Sequence, residues 1–255
     1  MKRKNAFKIT RIKLLLILLA TALIAGVTTF YFMITTGNNN EIEEELKEKI
    51  SIYINEISNN YFSLGRLPIF DNINEADKDW IYGHLEDKDN NGLTQTEIEL
   101  HLKNLFGDKL EIDLDNDKKA LEINNIQYNE DSKKYEILPY GSDMTIQYVV
   151  DSIDYINEEY VVKVIEYAET SDFNLEYSNG DSAAKLIMTW KDYDNTKSLM
   201  ENGKVIMVIE PNEEKTREEI NKEVLNKREY FLSYNIILEK DNKENIVLNR
   251  IELAK

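Results

Sequence analysis

The longest apolar run in the chain comes first. Leu14 to Ile34, "LLLILLATALIAGVTTFYFMI", holds 21 residues without a charge. At about 1.5 Å per residue this makes about 31 Å of helix, against a bilayer core of about 30 Å. The run therefore predicts a membrane-spanning segment over residues 14–35, with Phe30, Tyr31 and Phe32 at the far interface. Residues 1–13 carry Lys2, Arg3, Lys4, Lys8, Arg11 and Lys13 and no acid, which places this flank in the cytoplasm. A cleaved secretory signal has a shorter apolar core, of about 7–15 residues. The run continues well past the small-x-small site at Ala20 to Ala22. After "LIAG", Val27 stands where a lipoprotein signal needs cysteine. The expectation is an uncleaved signal anchor, and either form of signal exports the remainder of the chain.

Beyond the polar "TTGNNN" the pattern turns helical. Ile42, Leu46, Ile50, Tyr53, Ile54, Ile57 and Tyr61 recur at the spacing of one helix face, wide enough to pack on the chain's own domain. "GRLPIFDN" then reads as a loop. A second helix is expected over about Ile73–Leu85, with Asn72 and Glu75 at capping-box spacing and Ala76, Trp80, Ile81 and Leu85 inward. A third spans about Gln95–Phe106, with Ile98, Leu102, Leu105 and Phe106 inward and Gly107 as its stop.

From Lys109 the period shortens to alternation. The pattern predicts a hairpin about "DNDK" within 109–128, a short strand in "KKYEILPY", and two long strands joined at "NEE". Further strands are expected in "AAKLIMTW", "KVIMVIE", "REYFLSYNIILEK" and "NIVLNRIEL", the last two joined by "DNKEN". "PNEEKTREEINKEVLNK" interrupts them as a surface helix with Ile220, Val224 and Leu225 inward. "SDFNLEYSNGDS", Ser171 to Ser182, reads as a long loop or a subdomain boundary. Helices first and strands after give an α+β fold, a helical segment over 36–106 packed with an antiparallel β-rich segment over 107–255. By analogy of element order, helices laid on a curved antiparallel sheet match cystatin-like or NTF2-like folds.

Charge narrows the partners. All 48 acidic residues and 25 of the 31 basic ones lie in residues 41–255, a net charge of −23 there. Such a surface repels phosphate backbones and anionic headgroups, which excludes nucleic acid. It suits a basic ligand or an envelope protein partner. With no cysteine in the chain, stability comes from packing rather than disulfides.

One stretch has the look of a chemical site. "DKDNNGLTQTEIE" opens like an EF-hand loop, with Asp87, Asp89 and Asn91 at positions 1, 3 and 5 and Gly92 at position 6. The second half departs from the pattern. Leu93 and Thr94 fill positions 7 and 8, and Ile98 stands at 12 where the bidentate acid belongs, with Glu97 one place early. The candidate ligands for a weak Ca²⁺ site are Asp87, Asp89, Asn91 and Glu97. The same residues have a structural account that needs no ion: Thr94 and Glu97 form a capping box, with Leu93 and Ile98 beside it. "DLDND" at Asp113 to Asp117 repeats the acid spacing, but Lys118 replaces the glycine.

Other chemistry is thin. His84 and His101, the two histidines, sit on the helices beside this loop and read as exposed; zinc needs three or four ligands. Ser142 and Asp143 lack a nucleophile-elbow pattern. Carboxylates abound, but no spacing singles out a glycosidase-like pair. The sequence thus predicts a single-pass membrane protein exposing an acidic binding or assembly domain. A carboxylate-based surface hydrolase and a calcium-responsive domain are the alternatives.

Overall fold

The computed structural model describes residues 42, 44–58, 66–138, 144–171, 183–191 and 203–254. The expected membrane segment 14–35, the loop 172–182 and the pair Ser142 and Asp143 lie outside the described residues. Among the described residues no helix is long and apolar enough to cross a membrane. Those from 44 onward form an α+β domain built on an antiparallel sheet.

Five helices and eight strands are present among the described residues: α1 Glu44–Ser58, α2 Lys78–Tyr82, α3 Gln95–Phe106, α4 Lys118–Ile123 and α5 Arg217–Asn226; β1 Ile126–Asn129, β2 Lys134–Ile137, β3 Met144–Ile156, β4 Glu159–Ser171, β5 Lys185–Thr189, β6 Lys204–Ile209, β7 Leu232–Lys240 and β8 Ile246–Leu253. β1 and β2 form a separate hairpin. The remaining strands share one sheet, ordered β6-β5-β4-β7-β8 with β3 also on β4. Because Tyr160–Glu166 pair with β3 and β7 at once, those two strands flank β4. β5 takes over β7's side of β4 at Ala168–Ser171. Register breaks at Val150/Ser152, Ile187/Met188 and Ile237/Leu238 mark bulges, which bend a sheet and raise its local twist.

Alternation along β4 sorts the two faces. Ile165 and Tyr167, with Val149, Ile187 and Met207, pack under Ile220 and Val224 of α5. Val162, Val164, Glu166 and Ala168 point the other way and are buried. Glu166 meets Arg66 there, and Tyr148 beside it holds the backbone of Leu67. Phe70 adds a bridge to Ile251 on β8. The α1 stripe seals this layer: Ile50, Ile54 and Ile57 are fully buried. The Tyr53 hydroxyl donates to the Leu105 carbonyl of α3 (2.6 Å) and accepts from the Leu248 amide of β8 (2.9 Å), joining three elements.

Two expected elements take a different form. The helix over 73–85 is divided into a 3₁₀ turn at Ile73–Glu75 and the short α2, because Ala76 is extended (ψ 145°). The Asn72 side chain accepts from the Asn74 amide, a local turn in place of a capping box. The predicted inward residues Ala76, Trp80, Ile81 and Leu85 are nonetheless all buried. The hairpin about "DNDK" is replaced by a turn and α4. Ala120 and Leu121 are adjacent and both buried, which a strand cannot achieve with one buried face. Asn124 ends that helix, its amide donating to the Ala120 and Asp79 carbonyls and tying α4 to α2.

Candidate functional site

The Asp87 loop connects the turn after α2 to α3. The Asp87 carboxylate accepts the amides of Asn91 (3.2 Å) and Gly92 (2.6 Å), so it holds the turn by itself. Gly92 has φ +72°, and a β-carbon there would meet Lys134 Cβ at 3.0 Å and the Tyr135 carbonyl at 3.3 Å. Leu93 and Tyr135 exchange both backbone hydrogen bonds at 2.8 Å, which lashes the loop to β2. Thr94 accepts from the Glu97 amide, while Glu97 Oε2 accepts from the Thr94 amide (2.7 Å) and hydroxyl (2.8 Å). Those bonds hold the Glu97 carboxyl below its usual range. The Lys134 ammonium donates to the Asn91 carbonyl at 3.1 Å, supplying positive charge at the loop. Asp89 is exposed on the turn. Three of the four predicted ligands therefore lie in one loop and Glu97 in the first turn of α3, with Asp87 and Glu97 committed to backbone amides. Among the described residues no three His, Asp or Glu side chains are grouped as a metal would need.

His84 is not exposed. It is buried at 5% accessibility after α2, edge-on to Trp80 and Phe106 at 4.8 and 5.2 Å. Its two ring nitrogens face two carbonyls, Nδ1 at 2.8 Å from Trp80 and Nε2 at 2.9 Å from Ile57 in the last turn of α1. Burial lowers its pKa, since an imidazolium there is stripped of water. His101 is exposed on α3 as expected, and its Nε2 lies 3.0 Å from the His84 carbonyl. A carbonyl only accepts, so Nε2 of His101 donates in this contact. The two histidines meet at a groove of about 460 Å³ between α1 and α3, walled by Ile52, Asn55 and Glu56 on one side and His101, Asn104 and Leu105 on the other. Glu86 and Lys88 also line it.

A third cluster had no signal in the sequence. Glu166 on β4 is 2% exposed. Its Oε2 accepts from the hydroxyls of Tyr148 on β3 and Tyr234 on β7, both at 3.1 Å. Arg66 Nε lies 3.4 Å from Oε1, and the same guanidinium donates to the Trp190 carbonyl at 2.6 Å. Loss of water raises the Glu166 pKa against the opposing pull of Arg66 and the two hydroxyls. Among the described residues it is the one carboxyl whose affinity for its proton is clearly raised. Alternation along β4 marks position 166 as inward, but the sequence does not say which loop brings its arginine. The cluster is closed by its own ligands and staples Arg66 and Leu67 to the sheet.

Compared with known proteins, the chain matches no family model, no curated protein and no solved structure.

Proposed function

We propose that the chain is a single-pass membrane protein, N-terminus cytoplasmic, that displays an acidic α+β domain in the cell envelope for binding or assembly. The observation that carries this reading is the 21-residue uncharged run behind a purely basic flank, followed by a domain of net charge −23. The element order, with helices laid against an antiparallel sheet, supports the comparison with cystatin-like or NTF2-like architecture by analogy alone. The open α1–α3 groove favours binding over catalysis. Glu166, whose pKa burial raises, is enclosed by Arg66, Tyr148 and Tyr234 and out of reach of a substrate. Extraction of the full chain in mild detergent after cross-linking tests the reading. A stoichiometric envelope partner is the expected result, and recovery as a solitary protein counts against an assembly role.

A second reading, a weak Ca²⁺ site, is favoured by one observation: Asp87 receives the Asn91 and Gly92 amides as the first residue of a calcium loop does. It requires Glu97 to leave its capping box. Calorimetry with Ca²⁺ on the full chain, and on Asp87→Ala, decides the matter; absence of heat ends it.

A further inference from the structure

We propose that the groove between α1 and α3 is a receptor for a lysine side chain of a partner protein, the alkylammonium entering between Glu56 and Glu86. This rests on the binding reading above and names the chemistry of its ligand. Size is the first support: about 460 Å³ falls within the range of small-ligand sites, about 300–1,000 Å³. Exposed polar side chains that can exchange their water for a ligand are the second. Among the described residues, Asn55, Glu56 and Asn104 line the groove with no hydrogen bond or ion pair from their side chains. Glu86 has only Lys88 at 3.8 Å, a loose and exposed contact.

The third support is the field. The groove-lining residues of α1 and α3 fall in the C-terminal halves of both helices, where the peptide dipoles point their negative ends. α1 ends with no basic residue in its last turn, so nothing of its own offsets that potential. Among the described residues, Lys88 is the one lysine or arginine that lines the groove, and Lys103 in the last turn of α3 does not line it. The domain charge of −23 adds a long-range bias in the same direction.

The walls fit an alkylammonium on an apolar stem. Ile52, half exposed on α1, and Leu105 offer apolar surface for the methylenes of the stem. Carboxylates and amide carbonyls offer acceptors from several directions to the three N–H donors of one ammonium.

The test uses the full chain in detergent. Because it has no cysteine, a single Leu100→Cys on the exposed side of α3 carries an environment-sensitive fluorophore beside the groove. The probes are N-acetyl-lysine methylamide and its Nε-acetylated counterpart, which keeps the stem and lacks the charge. The expected result is a saturable signal with the lysine compound alone, weakened about tenfold or more by Glu56→Gln with Glu86→Gln, in line with losing charge-assisted hydrogen bonds. Glu75→Gln, away from the groove, leaves it unchanged. Equal response to the acetylated compound, or indifference to the double Gln variant, overturns the site. So does absence of any saturable signal. None of those failures touches the cross-linking result, so the broader binding reading stands or falls separately.

Discussion

Removing Arg66 strands a carboxylate in the middle of the sheet. Glu166 is 2% exposed, and its formal countercharge is the Arg66 guanidinium at 3.4 Å. Breaking a buried pair from one side costs about 3–5 kcal/mol, because the remaining charge has no water to turn to. Arg66→Leu should therefore lower the folded-to-unfolded ratio by at least about 100-fold at pH 7.5. Glu166→Gln is milder, about 1–2 kcal/mol: the amide oxygen still accepts from Tyr148 and Tyr234, and the Arg66 side chain, about a quarter exposed, can reach solvent. In the double variant the two costs should fall short of their sum by about 2 kcal/mol. The pH dependence has a definite sign. The folded-state pKa of Glu166 is raised, so its contribution to stability is fully present below the ordinary carboxylate value and is lost as pH rises through the folded value. The deficit of Arg66→Leu should thus shrink from pH 7.5 to pH 5. Urea unfolding followed by tryptophan fluorescence reads all of this, since Trp80 and Trp190 are the only tryptophans and both are buried. Strict additivity, or a deficit in Arg66→Leu that grows as pH falls, would refute the account of this cluster.

The same assay checks three further expectations. Glu158, in the turn between β3 and β4, holds φ 69°, so Glu158→Gly should stabilise by about 1 kcal/mol; a lower urea midpoint would contradict this. Gly92→Ala should destabilise by about 1–3 kcal/mol and speed amide exchange at Leu93 and Tyr135, through its positive φ and the clash with Lys134. Unchanged exchange would mean that the loop yields freely. His84 has a depressed folded-state pKa, so its contribution is present above the ordinary histidine value and lost as pH falls through the depressed one. Wild type should lose more stability than His84→Gln between pH 7.5 and pH 5, and parallel losses would place His84 outside the linkage.

How much of the fold is legible in the sequence depends on how local each signal is. The capping box at Thr94 and Glu97 lies within four residues, and α3 begins and ends where that box and Gly107 say it should. The turn at Asn157 and Glu158 and the inward set over 76–85 are equally local and equally readable. The break at Ala76 is hidden because the apolar spacing continues across it. α4 is easily misread because "KALEI" satisfies alternation as well as helical spacing, and the tie from Asn124 to Asp79 that settles the choice spans 45 residues. His84 reads as exposed because its burial depends on Ile57 and Phe106, from two other helices. The Arg66–Glu166 pair joins residues 100 positions apart, and no short-range pattern encodes it.

Topology is the claim on which the functional account rests, and the absence of cysteine makes it directly measurable. Single variants Asp131→Cys, on an exposed turn, and Lys4→Cys, in the basic flank, are treated in intact cells with a membrane-impermeant maleimide. The account predicts labelling of Asp131→Cys in intact cells, and of Lys4→Cys only after lysis. Protection of Asp131→Cys until lysis would contradict it.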